Sequence, residues 1–140
     1  LIHTGVGPTH VEISDHPLYP GEDYQFFLSQ AGRLRLHFLE MLLVCEEVAT
    51  FQQGTDVREE VCRVFETPLF RGEDFTIEWG IPFEYRGQLG VPRNVMHSLE
   101  SGHNAVQWKL VVAGKARAWP AFRRSFPVVV YPHGLPDGER

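Results

Sequence analysis

The sequence predicts an all-β fold, an antiparallel β-sandwich of about seven strands. Three observations lead there. Apolar residues recur at every second position in several short runs, the period of a half-buried strand. Valine, isoleucine and aromatic residues fill those runs and suit a pleated surface. The ten prolines and thirteen glycines fall mostly between the runs, as turn punctuation does.

Taken in order, residues 1–9, with Gly5, Gly7 and Pro8, read as a flexible lead-in. Val11 and Ile13 then alternate with Glu12 and Ser14 as a short strand. His16-Pro17 through Pro20-Gly21 is turn chemistry, with Pro20-Gly21 suited to the centre of a type II turn. Tyr24, Phe26 and Leu28 share one face of a second strand, which Ala31-Gly32 ends.

Residues 33–51 are ambiguous. Leu34, Phe38, Met41, Leu42 and Cys45 make a helical stripe, and the local composition favours a helix. Leu34, Leu36 and Phe38 also alternate with Arg33, Arg35 and His37, and the period slips by one near Glu40, as at a β-bulge. One long or bulged strand is the expectation, with a helix as the alternative.

A turn at Gln53-Gly54-Thr55 leads to a partly exposed strand, Val57 to Glu66. Phe75, Ile77, Trp79 and Ile81 give a clean alternation, which assigns them inward. Pro82 to Gly102 reads as an irregular passage. Val106, Trp108, Leu110 and Val112 form the next strand, broken at Ala113-Gly114-Lys115, and Phe126 to Tyr131 the last. Residues 133–140 read as a polar tail of a single domain spanning 1–140.

The apolar share of 43% and charged share of 22% are those of a folded protein. A net charge of -5 argues against general nucleic-acid binding. The charge is uneven: Lys109, Lys115, Arg117, Arg123 and Arg124 lie in a stretch, 101–136, that holds no carboxylate. These bases are expected to pair with acidic strands of the same sandwich, the alternative being an anionic partner or lipid headgroup. No apolar run approaches the ~20 residues of a membrane-spanning helix, so direct insertion by this segment is not expected. Cys45 and Cys62 lie on either side of the Gly54 turn and could face each other across it, although two buried free thiols are the favoured reading.

No catalytic set emerges. Among the seven histidines, His97 and His103 are the plausible local pair, but the chain lacks the closely spaced ligands of a metal site. Ser98 beside His97 has no nucleophile elbow, and such a serine more often bonds loop backbone. Glu46-Glu47 and Glu59-Glu60 are neighbours on strands, point to opposite faces and read as solvated positions, some facing arginines across the hairpin. The glycines at 5, 7, 87 and 90 form no phosphate loop. No catalytic residue, cofactor site or metal site is therefore assigned. Trp79 and Trp108 are expected in the core, and Trp119 at the surface.

Val91-Pro92, Met96-His97-Ser98 and the run Asn104-Ala105-Val106-Gln107-Trp108-Lys109-Leu110-Val111-Val112 resemble the "I-P…P-x-S…I-x-W-x-L-x-V" pattern of arrestin-like domains. Met96 stands where the loop proline is usual. His16-Pro17-Leu18-Tyr19-Pro20-Gly21-Glu22 is similar to the "P-x-x-P-G" turn of bacterial relatives, and Ser125-Phe126-Pro127-Val128-Val129-Val130 to their closing strand. The likeness runs from Val11 to Pro132. It implies an immunoglobulin-like sandwich, no catalytic residues and a role in protein–protein contact. Some bacterial relatives follow membrane-spanning segments, which implies a membrane-tethered parent as one arrangement. The expected function is thus a non-catalytic protein-interaction or scaffolding module with a protein partner, acting through an exposed sheet edge or loop. The alternative is a carbohydrate- or small-ligand-binding, lectin-like module using Trp119 and the Phe83 to Tyr85 segment.

Overall fold

The computed structural model describes residues 5–132, and over them the chain holds strands, turns and irregular backbone without a helix. Eight strands form: β1 (Val6–Ile13), β2 (Asp23–Gly32), β3 (Leu34–Gln53), β4 (Asp56–Ile77), β5 (Phe83–Gly90), β6 (Leu99–Ser101), β7 (Asn104–Ala116) and β8 (Phe122–Val128). A small sheet has the order β1-β2-β5, and a large one the order β4-β3-β7-β6, with β8 also pairing β7. Every strand pairing is antiparallel. Between the sheets lies one apolar cluster, with Phe26, Leu28 and Leu89 from the small sheet and Leu39, Met41, Leu43, Trp108 and Leu110 from the large. Each such side chain contributes on the order of 1.5–3 kcal/mol by leaving water.

The ambiguous stretch is strand from Leu34 onward, with no helix. Leu34 and Leu36 are buried, and the buried set then continues at Leu39, Met41, Leu43 and Cys45. The change of phase comes at His37, where β3 carries one residue more than β7 between the pairs Leu36↔Ala116 and Phe38↔Lys115. The slip expected near Glu40 is this bulge. It lets one long strand keep its apolar side chains on the core face along both halves.

The structure departs from the sequence expectations in several places, each for a local reason. Where an irregular lead-in is expected over 1–9, the chain is already strand from Val6. The Gly7-Pro8 pair sits in a register shift between Val6↔Gly32 and Thr9↔Gln30, and β1 is an edge strand, where proline is tolerated. Residues 1–4 and the expected tail 133–140 lie outside the described residues.

The passage expected to be irregular contains β5, with Phe83, Tyr85 and Leu89 turned inward. Gly87 belongs to that strand for want of room: a Cβ there would lie 2.9 Å from the Phe26 ring and 2.8 Å from that of Tyr85. Gly114 likewise interrupts nothing. β7 runs through it, and a Cβ would meet the Phe122 ring at 2.7 Å. Both glycines mark close contacts inside strands, a use that punctuation rules mistake for turns.

Trp79 and Ile81, expected inward, are each 66% exposed. β4 ends at buried Ile77, and Gly80, with φ of +83°, closes a tight turn in which the Ile81 amide donates to the Glu78 carbonyl. The turn carries both side chains out of the core. The turn at Tyr19 to Glu22 is as expected, with Gly21 at φ +81° and the Glu22 amide donating to the Tyr19 carbonyl.

Candidate functional site

The bases in the carboxylate-free stretch are largely used inside the fold. Lys109 reaches the Glu46 carboxylate at 2.5 Å on the outer face of the large sheet, and Arg63 of β4 approaches the same carboxylate at 4.0 Å. Glu46 is therefore a nearly buried, charge-paired group, where a solvated strand position is expected. Arg124 donates to the Gly7 carbonyl at 2.6 Å and to Thr9 Oγ1 at 2.8 Å, joining the edges of the two sheets. Lys115 donates to the carbonyls of Ala116 and Trp119. Lys109, Lys115 and Arg124 are thus each engaged by partners within the fold.

The residues weighed for chemistry are dispersed or structural. His97 Nδ1 lies 2.9 Å from the Ser98 carbonyl, while the His103 carbonyl accepts from the Thr50 amide. Among the described residues no three His, Cys, Asp or Glu side chains are grouped to hold a metal ion. Ser98 Oγ accepts from the Val130 amide at 2.9 Å and so secures loop backbone, the role its sequence context suggests. Trp108 is buried and donates through Nε1 to the Met96 carbonyl at 2.7 Å. A stacking platform from Trp119, Phe83 and Tyr85 is not assembled, because all three are partly buried against the core.

Neither cysteine is bonded. In the hairpin, Cys62 stands opposite Glu47, and Cys45 opposite Phe65. The hairpin closes at Gln53↔Asp56, a register that sets Cys62 two residues away from the position opposite Cys45, and the extra residue Val64 on β4 adds one more. Cys45 is buried, and that burial, reinforced by the Glu47 and Glu46 carboxylates, pushes its thiol up to about 11. Cys62 is exposed, in contrast to the two buried thiols expected.

That exposure belongs to the surface with most to offer a partner. β3 and β4 form a hairpin closed by the Gln53↔Asp56 pair around Gly54, whose φ of +67° suits the tight turn. β7 accompanies β3 only as far as the Ala49↔Asn104 pair, so the hairpin extends past its neighbour. β4 is the last strand of the large sheet, with β3 as its one strand neighbour there. The core-facing residues of β4 begin at Phe65 and continue through Leu69, Phe70, Phe75 and Ile77. From Asp56 to Val64 it is exposed on both faces, yet Val57 is 66% and Val61 57% exposed among the charges. Across the hairpin Val61 opposes Val48, Glu59 opposes Thr50 and Arg63 opposes Glu46, which places Val61, Glu59 and Arg63 on one face. Sequence alternation shows the faces of this strand. It carries no mark of which strand lies at the edge, apart from Pro68, a residue that edge strands accommodate.

No described protein family and no curated protein matches the chain. Among solved structures it is similar to the crystal structure of Spo0M, a sporulation control protein from Bacillus subtilis, with a TM-score of 0.67 at 12% identity. The match covers 93% of this chain and 51% of that one, so this chain spans about half the length of the protein it resembles. The likeness establishes the fold, an arrestin-like antiparallel β-sandwich.

Proposed function

We propose that this arrestin-like sandwich is a non-catalytic interaction module that takes up a strand of a partner protein along the open edge of β4. The observation that carries the reading is the segment Asp56 to Val64, an edge strand with solvent on both faces and exposed valines at 57, 61 and 64. An added strand would satisfy the free backbone groups of that edge, and side chains at alternate positions would select among partners. The fold supports a module of this kind, since apolar side chains from both sheets fill the space between them and leave the exposed strand edge as a surface for a partner.

The test is capture of partners from the native cell by the wild type and by the Val57→Lys/Val61→Lys double variant. Both positions are solvent-exposed, so the circular dichroism spectrum and unfolding midpoint stay unchanged. Loss of the captured partner with an intact fold supports the reading, and undiminished capture refutes it.

A further inference from the structure

We infer that the strand received by the β4 edge is the same segment of a second copy of this chain, paired antiparallel about a two-fold axis at Val61. The inference rests on the reading of β4 as the binding edge and names its occupant.

Symmetry restricts the choices. Two copies of an edge strand meet antiparallel about an axis perpendicular to the sheet, which keeps every side chain on its own face. Residues placed directly opposite each other must share a face, so their positions differ by an even number. Only registers centred on a residue survive. Centring on Glu59 or Glu60 sets a carboxylate against its own copy, and centring on Arg63 does the same with a guanidinium.

Centring on Val61 sets Val61 against its copy, with Glu59 facing Arg63 of the other chain on both sides of the axis. Val61, Glu59 and Arg63 share a face, and the segment from 59 to 63 stops short of the bulge at Val64. Glu59 is exposed and forms no ion pair among the described residues, whereas Arg63 already pairs with Glu66 at 3.0 Å. The facing pair would therefore give Glu59 its counter-charge and extend an existing network. A register centred on Arg58 again sets a guanidinium against its own copy, and one centred on Cys62 sets each Val61 against an arginine and spans the bulge in order to pair Arg58 with Glu66. Centring on Val57 also opposes valine with valine and Asp56 with Arg58, but Asp56 is the first residue of β4, so that register spans three strand residues. The Val61 register makes the same matches over the five unbroken residues 59 to 63.

Sedimentation velocity on the full chain, over the micromolar to millimolar range, tests this. The wild type is expected to form a dimer that weakens as salt is raised. Glu59→Arg opposes two arginine pairs and is expected to weaken the dimer at least about tenfold. The Glu59→Arg/Arg63→Glu exchange restores the opposition of unlike charges and is expected to recover most of the loss. Val61→Lys, at an exposed site that folding does not need, is expected to leave a monomer. In a Cys62→Ser background, Val61→Cys is expected to form a disulfide-linked dimer on oxidation. A spontaneous Cys62 disulfide between wild-type chains would instead mark the other register and overturn the assignment.

A chain that stays monomeric throughout the range overturns self-pairing. If Val57→Lys/Val61→Lys nevertheless abolishes capture of a different protein, the β4 edge stands as the binding surface without this occupant. If it changes nothing, both fall.

Discussion

The Gly7 carbonyl accepts hydrogen bonds from two side chains far away in sequence, Arg124 at 2.6 Å and Gln30 at 3.1 Å. Gln30 is fully buried, and its amide also donates to the Ala31 carbonyl and accepts from the Thr9 hydroxyl. The register shift of β1 is thus satisfied from both sheets. Gln30→Leu removes the Gln30 bonds to the Ala31 carbonyl and the Thr9 hydroxyl and one of the two donors to the Gly7 carbonyl, which keeps Arg124, and is expected to cost about 1–3 kcal/mol. Arg124→Ala removes two charge-assisted bonds and is expected to cost about 1.5–3 kcal/mol. Urea unfolding midpoints check both values.

The two thiols are expected to react very differently. A thiol reagent at neutral pH should label Cys62 at once and leave Cys45 untouched until the protein is unfolded. Equal labelling of both in the native state would contradict the buried placement of Cys45.

Cys45 also sets a pH dependence. Its folded value of about 11 lies above the ordinary 9.0, so the unfolded chain loses this proton first as pH rises. Its contribution to stability is complete below pH 9 and falls away as pH passes from 9 to about 11. Tyr24, also raised by burial, works in the same direction. Unfolding midpoints should fall across this window, and Cys45→Ala should lessen the fall.

Gly87→Ala is expected to destabilise the domain by about 1–3 kcal/mol, because its methyl group would press on the Phe26 and Tyr85 rings. The same change at Gly54, beside which a Cβ meets nothing within 4 Å, costs only the left-handed backbone, about 1 kcal/mol. Thermal unfolding of the two variants separates a packing glycine from a turn glycine.

These glycines show how much of the fold the sequence could reveal. Val106, Trp108, Leu110 and Val112 alternate without interruption, so their inward face is legible from period alone. Gly87 and Gly114 are invisible as strand residues, because the rings that exclude a side chain come from other strands. Trp79 keeps the strand's phase in sequence but lies past its end, beside a glycine whose positive φ reverses the chain. The β4 edge is legible only as an exposed, charged strand. Its position at the rim depends on pairings between distant segments, which local patterns do not encode.

Trp79 gives a direct optical check of that correction. At 66% exposure it should supply most of the tryptophan emission that acrylamide quenches readily, since Trp108 is buried and Trp119 packs against the core. Trp79→Phe should remove that readily quenched fraction while changing stability by less than about 0.5 kcal/mol.

Photo-crosslinking addresses the β4 edge itself. A benzophenone side chain is placed at position 61 on the hairpin or, as a control, at position 27 on the outer face of the small sheet. Each variant is illuminated in the native cell. Covalent adducts from position 61 and none from position 27 are the predicted result. Adducts from position 27 with none from position 61 would contradict the assignment of β4 as the binding edge.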